Sequence, residues 1–473
     1  MSTAASPLST LDSSLSTSGT GTTSGTGLGA GINVQQFVQY AVAGQTAAIT
    51  ALQTDKTTLG SQVGEIATIT SDLANLQSAA AALSDPLGAL DAEVATSSNP
   101  NTLTATAAGT ATSGAHTISI ANLATTSSYY TDEAPSSSTP LASGDTISIT
   151  VGTSTVPVAS ITTSSSDNTL DQIAAAINLQ TSAVQASVIT DANGSRLALV
   201  SSTSGLPGVI GTTGSLHLTD TANTALNFHQ AAPGLNASLT VDGVPVSSTT
   251  NTVSGAINGV ILNLTAPTLV NSVDTPVTLT VAPDTTQAST AVNNLVTAYN
   301  AVITEINSQS TVNSDGTVSG VLANDPALQS AQGLLLGATT YSIPGNNGIV
   351  NLASIGVNLN DDGTLSVDSS TLASALSTNF SSVQNLLQNS TTGFAQNLST
   401  AITNLSGPSG ILTLDSQSYT SAAQSDTQQI SDLQAALTAQ EAALTTTYSE
   451  ANDTLQELPL LESQLTSQLA SIA

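Results

Sequence analysis

Three histidines, His116, His217 and His229, are the only imidazoles in the chain, and no cysteine accompanies them. A protein-built metal site needs ligands at short fixed spacings, such as two histidines three to five residues apart beside Cys or carboxylate neighbours. None of the three histidines has such a neighbour. Without cysteine, disulfides, thiol catalysis and Cys-ligated metals fall away together. Carboxylates are so plentiful, 31 of them, that acid–base pairs can be drawn anywhere and their number selects no site. Asp315-Gly316, Asp361-Asp362-Gly363 and Asn358 with Asn360 hint at calcium loops. The spaced ligands and closing Glu of an EF-hand are missing, and hairpin turns account for these residues. Gly27-x-Gly29-x-Gly31 has neither the preceding strand nor the spacing of a dinucleotide fingerprint. The Asn-x-Ser/Thr triplets, such as Asn263-Leu-Thr265, are expected by chance in a chain this rich in Asn, Ser and Thr. The chain therefore reads as a non-enzyme, with no catalytic or metal-ligating residue and no cofactor.

The charge narrows the partners. Two basic residues, Lys56 and Arg196, stand against the 31 acids, a net charge of −29. Phosphate backbones and anionic membrane surfaces are both recognised through Lys and Arg, so neither nucleic acid nor a membrane surface is expected as a partner. Ion pairs between subunits are nearly impossible, so any assembly must rest on apolar contacts and hydrogen bonds. Salt should then strengthen association by screening the repulsion. No stretch reaches the ~20 apolar residues that span a bilayer. Met1-Ser-Thr-Ala-Ala-Ser-Pro lacks the basic and apolar parts of a secretory signal, so secretion would need another route.

What must position any interaction surface is a pair of heptad seams. After a Ser/Thr/Gly-rich segment, 1–26, expected to be disordered, one seam runs Val38, Val42, Gln45, Ile49, Leu52, Lys56, Leu59, Val63, Ile66, Thr70, Leu73, Gln77, Ala80. Its alternating steps of four and three predict a coiled-coil helix that no proline interrupts before Pro86. One such helix buries too little to offset the ordering of its backbone, so it needs a partner. At the other end, Ile430, Leu437, Leu444, Ala451, Leu458, Leu465 and Ile472 recur every seven residues, with Leu433, Gln440, Thr447, Thr454, Leu461 and Gln468 on the alternate, mostly polar seam. Intramolecular pairing of the two ends is the simple reading. Pro459 should kink or break the second helix near 458. Lys56, on the first seam, either pairs with Glu450 or Asp453 or snorkels to water.

Between the helices the period drops to two. Thr102-Leu-Thr-Ala-Thr, Thr117-Ile-Ser-Ile and Thr146-Ile-Ser-Ile-Thr-Val alternate as strands do. A short helix from Leu170 to Asn178, capped by Asn168 or Thr169, precedes a hairpin turning at Asn193-Gly194. Further strands and an Asp242-Gly243 turn fill 235–283. Helical periodicity returns at 286–307, about 325–341, 369–388 and 392–405, with a hairpin at Asp362-Gly363. The fold class is α+β multidomain: an antiparallel coiled-coil leg from both chain ends, with β-rich head domains inserted between them. The segments are 1–26, the leg half 27–90, a β-rich head of 91–140 with 230–285, an inserted distal head of 141–229 with one short helix, a helical body of 286–425 and the closing coil and tail of 426–473.

Three motifs in this order resemble the flagellar filament cap family, hook-associated protein 2. Gly27-Leu-Gly-Ala-Gly-Ile-Asn-Val34 ahead of a heptad helix is similar to the family's opening. The module from Gly144 to Ser202, with Thr169-Leu-Asp-Gln-Ile-Ala-Ala-Ala-Ile-Asn178 and Gly194-Ser-Arg-Leu-Ala-Leu-Val-Ser-Ser202, resembles a repeat of hook, junction and cap proteins. Thr240-Val-Asp-Gly243, Asn251 to Leu264 and Ala298-Tyr-Asn-Ala-Val-Ile-Thr-Glu-Ile-Asn307 look like the family's C-terminal region, with Ile355-Gly-Val and Asp362 to Asp368 beyond. Family coils usually carry Lys and Arg; here the C-terminal one has none. The resemblance implies a homo-oligomeric ring, a pentamer, at the extracellular filament tip, helping exported flagellin to fold and insert and stopping its leakage. Its partners would be itself, flagellin, the hook–filament junction protein, the flagellar type III export apparatus and a cytoplasmic chaperone. The assembly residues would be Leu28, Ile32, Val38, Val42, Ile49, Leu52, Leu59, Val63, Ile66 and Leu73, with Ile430, Leu437, Leu444, Leu458, Leu461 and Leu465. A hook–filament junction protein and a surface adhesin on the flagellum are the rival readings.

Overall fold

The computed structural model describes residues 34–211, 217–271, 273–311 and 320–471. Helices and antiparallel sheets alternate along the chain in the order helix, strands, helices. Two compact units form: one from Met1–Ala74, Ala301–Leu335 and Ala401–Ala473, the other from Asn75–Asn300 and Leu336–Thr400. The Ser/Thr/Gly-rich stretch 1–26 lies outside the described residues.

The first unit is helical. Its longest elements belong to the helices Val34–Ser84 and Ile411–Ala470. Both are rich in Thr and Ser, residues that ordinarily compete with the helix for backbone partners. Here the hydroxyls bond back to their own helix: Thr50 Oγ1 donates to the Thr46 carbonyl at 3.0 Å, and Thr54, Thr57 and Thr58 each reach the carbonyl four residues back. The competition is thereby absorbed without leaving the helix. Pro459 does not break the second helix, which continues to Ala470. Proline deprives the Leu455 carbonyl of its donor, but residues 453–458 are exposed there, which leaves that carbonyl open to solvent.

The second unit carries the sheets. A five-stranded antiparallel sheet runs in the order Glu93–Ser97, Val277–Pro283, Gly114–Asn122, Ala237–Val241, Val244–Ser248. A three-stranded sheet of Thr252–Ile257, Val260–Leu264 and Leu103–Ala107 shares its core, built on Ile118, Ile120, Leu239, Leu262 and Leu279. The other β core is filled by Ile147, Ile149, Ile173, Ile177, Leu197 and Leu199. Alternation supplies one face of each strand: in Val277–Pro283, positions 277, 279 and 281 are buried and 278 and 280 exposed. The hairpin Val184–Thr190 with Ser195–Ser204 turns at Asn193-Gly194. The helix Leu170–Gln180 is capped by Thr169, whose hydroxyl accepts from Gln172 N at 3.3 Å.

Two glutamines secure the exit from the first long helix. Pro86 prevents the helix from continuing past Ser84, and the turn that follows is held by the helix Phe380–Gln388. Gln384 Nε2 donates to the Leu90 carbonyl and to Asp91 Oδ1, and Gln388 Nε2 to the Asp85 carbonyl and to Asp91. Four residues apart, the two amides lie on one helix face. Deeper in this unit Tyr299 is fully buried, and burial pushes its phenol up to about 12.

Candidate assembly surface

Leu28 and Ile32 lie outside the described residues. Of the other seam positions, Val38, Val42, Ile49, Ile66 and Leu73 are buried, whereas Leu52, Leu59 and Val63 are half-buried. Beyond Ile66 the buried stripe does not follow the heptad template. It passes through Ile69, Leu73, Leu76, Ala80 and Leu83, replacing the expected Thr70 and Gln77. A second three-residue step at 66–69 resets the phase, as a stammer does in a coiled coil. The sequence carries the signal, since Ile69 and Leu76 each stand one residue before a polar template position.

The second long helix joins this stripe through polar and aromatic contacts. Gln45 Nε2 donates to Gln440 Oε1 at 2.5 Å, and the rings of Phe37 and Tyr448 lie 5.8 Å apart. From 37 to 45 is eight residues forward; from 448 to 440 is eight back, so both contacts share one register. Ile430, Leu437 and Leu444 are half-buried in this stretch.

That register places Val34 across from Ala451. Leucines further on face no described residue of the first helix, and they are exposed: Leu458 by 50%, Leu461 by 58% and Leu465 by 60%. With Leu469 at 62% they fall on one face, at spacings of three, four and four. The predicted seam residues thus divide into a segment covered within the chain and a segment left open.

Lys56 is exposed and forms no ion pair with Glu450 or Asp453. The Gln45–Gln440 register sets it across from Gln429. At 1.5 Å per helical residue, Glu450 is roughly 30 Å away. The lysine snorkels.

His116 and His229 each meet an aspartate on a neighbouring segment of sheet. His116 Nδ1 lies 2.8 Å from Asp242 Oδ2, while Asp242 Oδ1 accepts from Thr117 N at 2.8 Å. Asp242 takes a positive φ of 52°, and these bonds hold its carboxyl below the usual carboxylate range. His229 Nε2 lies 2.7 Å from Asp132 Oδ1, lowering that carboxyl in the same way. Partners so far apart in the chain leave no local signal in the sequence. Among the described residues no group of three or more His, Cys, Asp or Glu is placed to hold a metal ion, and no helix is long and apolar enough to cross a membrane.

Comparison with known proteins matches two segments of the chain to one family. Residues 30–127 match the family model "Flagellar hook-associated protein 2 N-terminus" and residues 234–458 its C-terminus. The chain is 29% identical over 461 residues to the B-type flagellar hook-associated protein 2 of Pseudomonas aeruginosa, covering 93% of this chain and 95% of that one. It is 26% identical to flagellar hook-associated protein 2 of Escherichia coli over 403 residues, 80% of this chain and 84% of the relative. The crystal structure of three domains of the E. coli flagellar cap protein superposes with a TM-score of 0.54 at 27% identity, covering 75% of this chain and 99% of that one.

Proposed function

The chain belongs to the flagellar hook-associated protein 2 family and is a cap protein of the bacterial flagellar filament, and on that premise we propose how its parts serve the cap. The two long helices act as an antiparallel coiled-coil leg of 27–90 and 426–473. The β-rich heads, 91–140 with 230–285 and the distal 141–229, are insertions between its halves, followed by the helical body of 286–425. Copies associate through the leg into a homo-oligomeric ring, a pentamer on the family pattern. The ring sits outside the cell at the filament tip, where exported flagellin folds and inserts beneath it. The chain itself would arrive through the flagellar type III apparatus with a cytoplasmic chaperone, and its first seat would be the hook–filament junction protein.

The observation that carries this reading is the open leucine face at 458, 461 and 465, continuous with a seam that is covered further back. A seam closed along part of its length and open along the rest is what an assembly contact requires. Val38, Val42, Ile49, Leu52, Leu59, Val63, Ile66, Leu73, Ile430, Leu437 and Leu444 then hold the leg together. Leu28, Ile32, Leu458, Leu461 and Leu465 make the contacts between subunits.

Deleting 459–473 tests this. The truncated chain should keep its sheets by circular dichroism, yet cells carrying it should leak flagellin monomer into the medium and lack filaments. Normal filaments on such cells would overturn the reading. The match of residues 30–127 and 234–458 to cap-family models favours the cap over a junction protein or an adhesin.

A further inference from the structure

Carboxyl groups in the helical unit meet one another. Asp325 precedes the helix Pro326–Thr339 and is 6% exposed. Its Oδ1 accepts from Ala327 N at 2.7 Å and Leu328 N at 3.4 Å, and its Oδ2 from the Tyr419 hydroxyl at 2.7 Å. These three donors occupy both carboxyl oxygens of Asp325, at the start of the helix. Asp415 lies one turn before Tyr419 on the helix Ile411–Ala470, and its carboxyl is turned to Asp325. Its Oδ2 is buried and receives no hydrogen bond from a donor among the described residues. A buried oxygen without a donor, facing a fixed carboxylate, is costly if it is charged and comfortable if it carries a proton. Asp325 and Tyr419 are the titratable groups acting on Asp415, and no cation among the described residues pairs with either carboxyl.

We propose that Asp325 and Asp415 share one proton, and that this pair makes the packing of the last long helix against the start of Pro326–Thr339 tighten in acid and loosen as the proton leaves. Asp325 is the fixed acceptor and Asp415 the donor, so the orphan Oδ2 bears the hydroxyl hydrogen. Burial first, then the Asp325 charge, pushes the Asp415 carboxyl up to about 6. The folded chain therefore holds this proton more tightly than the unfolded chain. Stability from the pair is complete below the ordinary carboxyl value near 4 and is lost as pH rises through about 6, the reverse of ordinary acid denaturation. Half-buried Glu65 has its carboxyl raised in the same direction, by burial and then by Glu305.

The test is amide hydrogen exchange of the full-length chain, read at residues 412–420 and 327–332, comparing wild type with Asp415→Asn. Asparagine offers Asp325 a permanent donor. A displacement of about two pH units corresponds to at most about a hundredfold in the opening equilibrium. At pH 8 these amides should therefore exchange about ten- to a hundredfold faster in wild type than in the variant, and equally fast at pH 5. Equal rates at both pH values, or faster exchange in the variant at pH 8, would overturn the proposal. Should Asp415→Asn fail to fold, carbon-13 titration of the Asp415 carboxyl in wild type decides: a midpoint near 6 supports the pair and one near 4 refutes it.

Discussion

Replacing Leu458, Leu461 and Leu465 together by glutamine should abolish the proposed self-association while leaving the single chain folded. Full burial of a leucine side chain contributes about 1.5–3 kcal/mol. The three residues are 50%, 58% and 60% exposed in the single chain, so only that fraction remains to be gained on assembly. The sum is about 2–5 kcal/mol per subunit contact, or roughly thirty- to several-thousand-fold in the association constant. Glutamine keeps nearly the helix propensity of leucine, so helicity by far-UV circular dichroism should not change. Sedimentation velocity across a concentration series reads the association directly. An oligomer of unchanged strength would show that the open leucine face takes no part in assembly. A loss of helix content would show instead that the face is packed within the chain.

The half-buried Gln45–Gln440 pair should behave as a coupled polar pair. Changing either one to leucine strands the other amide and should cost about 1–3 kcal/mol, and changing both should restore most of the loss, as a double-mutant cycle by urea unfolding would read. Ile69→Ala should cost about 2–5 kcal/mol because the side chain is fully buried, whereas Lys56→Gln, exposed and unpaired, should stay within about 0.5 kcal/mol. Asp368 caps the helix Ser369–Thr378, and bonds from Ser370 and Thr371 hold its carboxyl down at about 2. Its contribution is present above the ordinary carboxyl value near 4 and lost as pH falls through about 2. Asp368→Asn, which keeps the cap without the charge, should flatten that limb of the acid-unfolding curve.

Much of the fold is local and therefore legible. Turns at Asn193-Gly194, Asp242-Gly243 and Asp362-Gly363 each join strands of a hairpin; Asp242, Gly243 and Gly363 take positive φ, and turn chemistry of that kind depends on the two or three residues that make the turn. Pro86 ends a helix, since the turn after it is held by Gln384 and Gln388; at Pro459 no such turn competes and the helix runs on. The phase shift at Ile66–Ile69 escaped a fixed seven-residue template because that template admits polar seam residues as readily as apolar ones, and Thr70 and Gln77 filled it. The His116–Asp242 and Asp325–Asp415 meetings depend on the tertiary fold and are written in no local pattern.

The charge count explains which interactions the helical unit can use. Among the described residues the Arg196–Glu133 ion pair and the His116–Asp242 and His229–Asp132 contacts all lie in the β-rich unit. Lys56, the one basic residue in either long helix, faces water. No charge code of the kind that fixes register in ordinary coiled coils is therefore available. Apolar stripes bring helices together but discriminate poorly between neighbouring registers, whereas an amide pair loses its hydrogen bond on a slip of one residue. Gln45 and Gln440 can thus do with two neutral side chains what Lys–Glu pairs do elsewhere. The same scarcity of cations leaves buried carboxyls no counter-charge but a proton. The amide pair and the acid pairs are two consequences of one compositional fact.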